Sequence, residues 1–319
     1  MDTMATPARR VAVLMGGRSA EREVSLNTGA QVAAALTERG FDVVRVDTGA
    51  PDFIGGLQAS GADVAFICLH GRFGEDGTVQ GLLELLDLPY VGSGVLASAL
   101  AMNKVMSKHF YANEGLATPD YVALRRGEDV DLASIVERLG GKTVVKPANE
   151  GSSVGMTIVH EPAELPAAID LAFTCDPLVL VERFEAGVEV TVAVLGNRDA
   201  VALPTLEVVA QNEFYDYESK YIPGMSKHII PARVSEEQRA ECQRLAVAAH
   251  VALGCAGMSR SDTIVAPDGR VLLLETNTIP GMTKTSLLPD AAAAAGITFP
   301  QLCERLVDLA FQEWTDCRG

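Results

Sequence analysis

The stretch Arg260-Ser-Asp-Thr-Ile-Val-Ala-Pro-Asp-Gly-Arg-Val-Leu-Leu-Leu-Glu-Thr-Asn277 decides how the rest of the chain is read. Two runs suited to strands flank Ala266-Pro-Asp-Gly269, which places proline and glycine where a tight turn needs them. Ser259–Val265 and Arg270–Glu275 are therefore predicted to form a hairpin. Strand side chains alternate between faces. Arg260 and Asp262 then share one face of the first strand, and Glu275 and Asn277 share one face of the second. A tight hairpin can bring all four to one surface. Two carboxylates and an amide oxygen make a hard oxygen set suited to Mg²⁺, and magnesium held by few protein ligands usually keeps phosphate oxygens in its shell. Arg260 beside them suits the charge that develops on a transferring phosphoryl group. Arg-x-Asp alone is the pattern of an ordinary solvated strand. Its pairing with Glu-x-Asn, in a chain that runs on into Thr278-Ile-Pro-Gly-Met282, is what points to a metal and a nucleotide.

A second signal lies upstream, in Val144-Val-Lys-Pro-Ala-Asn-Glu-Gly-Ser-Ser-Val-Gly155. Lys146 ends a predicted strand and meets a loop of small residues. Backbone N–H groups and hydroxyls of such a loop suit phosphate oxygens, and the lysine adds a point charge. The spacing is not that of a Walker loop. Gly16-Gly17 after the first strand lacks the G-x-G-x-x-G pattern, which disfavours a nicotinamide dinucleotide.

Outward from these two sites the chain alternates strand and helix. Val11–Met15, Phe41–Val46 and Val64–Leu69 read as aliphatic strands, with helices over Val24–Arg39 and Thr78–Leu86 between and after them. That rhythm predicts a parallel, doubly wound sheet. It breaks at Pro89–Gly94, where a domain boundary is expected. A single helix is expected over Leu96–Glu114, carrying Lys104 and Lys108. A more antiparallel region follows, with strands Thr143–Lys146, Val154–Val159, Leu178–Glu182 and Val188–Val194. A tyrosine-rich loop spans Asn212–Met225. Ser235-Glu-Glu-Gln238 is a capping box that opens a helix to about Leu253, and Thr298-Phe-Pro-Gln301 opens the closing helix. The domain expectation is 1–94, 95–184 and 185–319.

Composition narrows the class. The 319 residues are 48% hydrophobic but only 5% aromatic, so the core is aliphatic, as in alternating α/β folds. Forty-two acidic against 26 basic residues give a net charge of −16 with no basic cluster, which argues against a nucleic-acid partner. None of the six cysteines forms a C-x-x-C pair, as expected of reduced core thiols in the cytoplasm. Arg9-Arg10 precedes an apolar run too short for a signal sequence, and no run approaches the ~20 apolar residues of a membrane span.

Five ordered runs carry a family resemblance: GGRSAEREVSLNTG (16–29), LHGRFGEDGTVQGLLELLDLPYVGSG (69–94), VKPANEGSSVGM (145–156), FYDYESKY (214–221) and ETNTIPGMTKTSLLP (275–289). Together they resemble the D-alanine–D-alanine ligases across nearly the whole chain. The resemblance implies an ATP-grasp fold: an N-terminal doubly wound domain and two α+β domains enclosing the nucleotide. It implies ATP-dependent joining of two D-alanine molecules through a D-alanyl phosphate, with ADP and phosphate released, for peptidoglycan precursors. A ligase of the same mechanism with D-serine, D-lactate or another amino acid as second substrate is the alternative. The cofactors implied are ATP and Mg²⁺, with Mn²⁺ as a substitute, and a cytoplasmic homodimer is expected.

Matched residue by residue, the resemblance gives Glu21 the first substrate's ammonium and places His70 near its carboxyl group. Lys104 and Lys146 match the lysines on the nucleotide phosphates, with Lys220 reaching toward phosphate or carboxylate. Glu182 and Glu189 match the adenine and ribose contacts. Arg260 and Gly281 face the tetrahedral intermediate, and Asp262, Glu275 and Asn277 are the metal ligands. Ser286, with the Leu287 backbone, matches the second carboxylate site. Ser152 and Tyr221, with Glu21, link two loops over the substrates, and a tyrosine at 221 resembles the alanine-adding enzymes. Phe184-Glu185 and Met258-Ser259 vary within the family and receive no contact assignment.

Overall fold

Strands β1 (Arg10–Met15), β2 (Asp42–Asp47), β3 (Val64–Ile67) and β4 (Tyr90–Val91) form one parallel sheet in the order β2-β1-β3-β4. The structure is a computed structural model that describes residues 9–151, 154–210 and 226–318. Strand alternation explains why both faces of this sheet are covered. Val11, Val13, Val64 and Phe66 pack with Val32 and Leu36 of helix α1 (Arg22–Glu38) and with Leu306 and Val307 near the chain's end. The intervening Ala12, Leu14, Ala65 and Ile67 pack instead with Leu57 of α2 (Phe53–Ala59) and with Val79 and Leu83 of α3 (Thr78–Leu85). This is the doubly wound arrangement that continuous aliphatic strands require. The stretch Pro89–Gly94, read as a boundary, first completes this sheet with β4 and only then leaves it.

The single helix expected over Leu96–Glu114 is two: α4 (Val95–Met102) and α5 (Lys104–Asn113). Asn103 stands between them with extended backbone (ψ 100°), and its side chain accepts the Met106 N–H at 3.0 Å. An asparagine N-cap satisfies one of the orphan donors of the new helix. The break makes Lys104 the first residue of α5, where its N–H donates to the carbonyl of Ala148 at 2.9 Å.

A second, antiparallel sheet follows in the order β5-β8-β6-β7, from β5 (Tyr121–Arg125), β6 (Thr143–Pro147), β7 (Thr157–Val159) and β8 (Leu178–Arg183). Helices α6 (Leu132–Leu139) and α7 (Leu165–Cys175) cover it, setting Ile135, Leu139, Ile169 and Ala172 against Val145, Val179 and Val181. The third sheet runs β12-β11-β9-β13-β14, with β10 paired to β9. Its strands are β9 (Val188–Leu195), β10 (Val201–Ala202), β11 (Leu206–Ala210), β12 (Ser226–Ile229), β13 (Met258–Val265) and β14 (Val271–Asn277). Helix α8 (Glu236–Ala252) opens at the Ser235–Gln238 capping box and packs Leu245, Ala246 and Ala249 on Val190, Val192 and Leu273. Helices α9 (Leu287–Ala294) and α10 (Phe299–Arg318) end the chain, and α10 recrosses to cover the first sheet. Among the described residues no helix is long and apolar enough to cross a membrane.

The β13–β14 hairpin sets Arg260 opposite Asn277 and Asp262 opposite Glu275, and the register slips between Asp262 and Thr263. All four side chains therefore share a face. On the reverse face Ser261 and Thr276 are buried and hydrogen-bond each other at 2.9 Å. The buried Tyr111 of α5 donates its hydroxyl to Thr276 Oγ1 at 2.9 Å. The helix that carries Lys104 is thus pinned to the underside of the hairpin. Tyr111→Phe should cost about 1–2 kcal/mol, because it removes the donor and keeps the ring. Denaturant unfolding measures this, and an unshifted midpoint would show that the bond does not hold the two elements together.

Candidate active site

Two cavities meet over the hairpin. The first, about 390 Å³, is within the usual size of a small-molecule site. It is lined by Glu21, His70, Arg260, Asn277, Gly281, Ser286 and Leu287. The second is lined by Lys146, Glu182, Glu189 and Asp262, together with the apolar Val144, Met156, Ile158, Phe184 and Leu274. Lys104, Glu150, Gly151 and Glu275 belong to both walls. The sequence therefore brings together, from all three sheets, every expected site residue that the structure describes. Ser152, Lys220 and Tyr221 lie outside the described residues.

The first cavity is built from loop ends. Glu21 ends the turn before α1, its N–H donating to Ser19 Oγ at 3.2 Å, and Ser19 Oγ donates to the His70 carbonyl at 2.8 Å. A Cβ on Gly71 would come within 2.8 Å of Glu21 Oε2, so this close approach, at φ +67°, is one that only glycine allows without strain. The His70 ring is buried between Thr28 Oγ1 and Glu75 Oε1, each 3.4 Å from a ring nitrogen. Also lining the cavity, Ser286 is the N-cap of α9: its carbonyl accepts the Asp290 N–H at 3.0 Å, but its side chain makes no bond to that helix. Its hydroxyl instead pairs with the Thr283 hydroxyl at 2.8 Å and accepts the Thr283 N–H at 3.1 Å. A Cβ on Gly281 would stand 2.9 Å from Ser286 Oγ, so the glycine keeps that hydroxyl in place. The first turn of α9 adds the N–H groups and dipole that suit a carboxylate.

Charged side chains line one part of the second cavity. Lys104 Nζ donates to the Glu150 carbonyl at 2.8 Å and lies 3.5 Å from Glu275 Oε2. Glu182, on β8, is held between two lysines: one carboxylate oxygen contacts Lys108 of α5, and the other contacts Lys146 of β6. Burial works against the Glu182 carboxylate, but the two ammonium groups outweigh it and hold its pKa below the ordinary value. Burial also works against the Lys146 ammonium, and Glu182 and then Glu275 outweigh it, raising its pKa. In Lys108 burial prevails over Glu182 and draws the pKa down. Lys108, one turn beyond Lys104, is named in the sequence analysis only as a residue carried by the helix and is given no role there.

The chemistry of the hairpin face can be tested against a cation. Arg260 donates two bonds to Asp262, at 3.1 and 2.8 Å, and Thr191 Oγ1 donates to Asp262 Oδ1 at 2.6 Å. A carboxylate offers about four lone-pair sites, so one remains. Asn277 Oδ1 accepts the Ile279 N–H at 2.8 Å and likewise keeps a lone pair. Among the described residues no group of three or more Asp, Glu, His or Cys side chains is placed to hold a metal. The oxygens left on Asp262 and Asn277, beside Glu275, are of the hard kind that suits a cation such as Mg²⁺, which usually takes further oxygens from a bound anion.

Relatives give this geometry its setting. A family model described as the D-ala D-ala ligase C-terminus matches residues 110–308, and one described as the D-ala D-ala ligase N-terminus matches residues 49–93. A D-alanine–D-alanine ligase from Pelotomaculum thermopropionicum is 50% identical over 309 residues, which is 95% of this chain and 97% of that protein. One from Geobacter sulfurreducens is 52% identical over 299 residues, 93% of each chain. The crystal structure of the Bacillus anthracis D-alanine–D-alanine ligase superposes with a TM-score of 0.87 at 35% identity, covering 97% of this chain and 99% of that one. The same enzyme complexed with ATP gives 0.85 at 32% identity, with the same coverage. With near-complete coverage by these relatives and a hairpin suited to metal and phosphate, the chain belongs to the D-alanine–D-alanine ligase family.

Proposed function

We propose that the protein joins two D-alanine molecules at the expense of ATP, through a D-alanyl phosphate, with release of ADP and phosphate for cell-wall precursor synthesis. One observation carries this reading: two cavities of different character share a wall made by Lys104, Glu150, Gly151 and Glu275. A carboxylate is a poor acyl donor, and phosphorylation gives it a leaving group. That requires a phosphate donor on one side of a boundary and an acceptor carboxylate on the other.

The second cavity seats ATP. Its apolar wall takes the adenine, Glu182 and Glu189 its polar edge and ribose, and Lys104 and Lys146 the phosphates. Asp262, Glu275 and Asn277 would hold Mg²⁺, or Mn²⁺ in its place, which when bound offsets phosphate charge. In the first cavity Glu21 holds the first D-alanine's ammonium and His70 lies by its carboxyl group. That carboxylate oxygen attacks the γ-phosphorus, and ADP leaves. The second D-alanine, its own carboxylate on Ser286 and the Leu287 N–H, then attacks the acyl carbon with its amine. Arg260 and the Gly281 backbone stabilise the oxyanion, and phosphate departs. In the same reading Ser152 and Tyr221 act with Glu21 over the substrates and Lys220 serves the nucleotide phosphate; all three lie outside the described residues. Six free cysteines and an ATP requirement suit the cytoplasm. The reading includes a homodimer.

Offered D-alanine, D-serine and D-lactate together with ATP and Mg²⁺, the protein should yield D-alanyl-D-alanine as the main product by mass spectrometry. ATP hydrolysis at an equal rate without any D-amino acid would contradict the ligase reading, and a mixed D-alanyl product would move only the second substrate. Glu275→Gln should lower kcat by about 100-fold or more through the lost metal ligand. Its circular dichroism and melting curve should match the parent protein, and parental turnover in this variant would overturn the metal assignment.

A further inference from the structure

Lys108 is a buried cation that no step above uses. It lies one turn beyond Lys104 on α5, its side chain is 0% exposed, and it stands in the wall of neither cavity. A buried ammonium persists only where it is paired and hydrogen-bonded. Here Nζ contacts one oxygen of Glu182, donates to Thr118 Oγ1 at 2.5 Å and lies 5.5 Å from the centre of the Tyr121 ring. The other oxygen of Glu182 contacts Lys146, which does line the nucleotide cavity. The buried group is therefore one carboxylate between two ammoniums, a net charge of about +1. Without Lys108 the remaining Glu182–Lys146 pair would sum to zero. A neutral pair attracts a triphosphate weakly. Lys104 does not duplicate the surplus charge, because Glu275 lies 3.5 Å from it.

We infer that Lys108 is a positioning residue for the nucleotide: it neutralises and orients Glu182 from behind, so that Lys146 turns an uncompensated positive charge toward the triphosphate. The inference rests on the assignment of this cavity to ATP. A lysine that served only to fill the core would affect stability and both substrates alike. A lysine that acts through Glu182 affects the nucleotide selectively, and only while Glu182 is charged.

A double-mutant cycle separates these cases, with binding of a non-hydrolysable ATP analogue in the presence of Mg²⁺ measured by calorimetry beside steady-state kinetics. Lys108→Met should weaken the analogue about tenfold or more, lower kcat less than about threefold and leave the KM for D-alanine unchanged. In a Glu182→Gln background the same change should cost less than about threefold. Additive losses in the cycle, or an affinity unchanged in Lys108→Met, would overturn the inference. Should the single variant not fold, the comparison of Glu182→Gln with the double variant decides: agreement within about threefold supports the proposal, and a loss above about tenfold refutes it. Failure of the parent protein to bind the analogue would instead overturn the nucleotide assignment.

Discussion

The register of one hairpin governs the site. Because β13 and β14 pair with Asp262 opposite Glu275 and Arg260 opposite Asn277, two carboxylates, an amide and a guanidinium share one face. A slip of one residue would send the two groups of one strand to the other side, away from the two of its partner. That outcome is resisted from below. Ser261 and Thr276 are buried against Tyr111, so a shifted register would place charged groups in the core of the third sheet. The chemistry above the hairpin and the packing beneath it are two consequences of the same alternation.

The rest of the site is arranged around that face by chain breaks and charge balance. The break at Asn103 puts Lys104 at a helix start, tied through main chain and side chain to residues 148–150. Ser286 is the N-cap of α9, and it lines the first cavity together with Glu21. In an acidic protein of net charge −16, Lys108 and Lys146 flank one buried glutamate, and Lys146 lines the second cavity beside Lys104. Electrostatic preorganisation of this kind has low reorganisation cost because the partners are already desolvated.

The amphipathic and aliphatic elements were legible because their periodicity matches their burial. The strands of the doubly wound sheet, the capped helix at Ser235 and the hairpin with its turn all announce themselves in residue order. Other features depend on tertiary context. Helix α2 carries Gly55 and Gly56, poor helix formers that burial of Leu57 supports. The two-residue strand β4 is too short for any period to show. The apolar pattern of α4 continues into α5 without interruption, so only Asn103 marked the break. Strand β5 and helices α6 and α7 lay in a stretch where no motif directed attention. Among site residues, Asp262, Glu275 and Lys146 stood out by spacing, whereas Lys108 did not. Its distinction is burial beside Glu182, which arises only when α5 packs on the second sheet.

In the proposed reaction a carboxylate oxygen of the first amino acid attacks phosphorus and leaves with the phosphate. Supplying D-alanine labelled with ¹⁸O in its carboxyl group, in unlabelled water with ATP and Mg²⁺, tests this step by mass spectrometry of the released phosphate. One labelled oxygen per phosphate is the predicted result. Phosphate released without label would contradict the acyl phosphate and, with it, the account of the two cavities that share the Lys104–Glu275 wall.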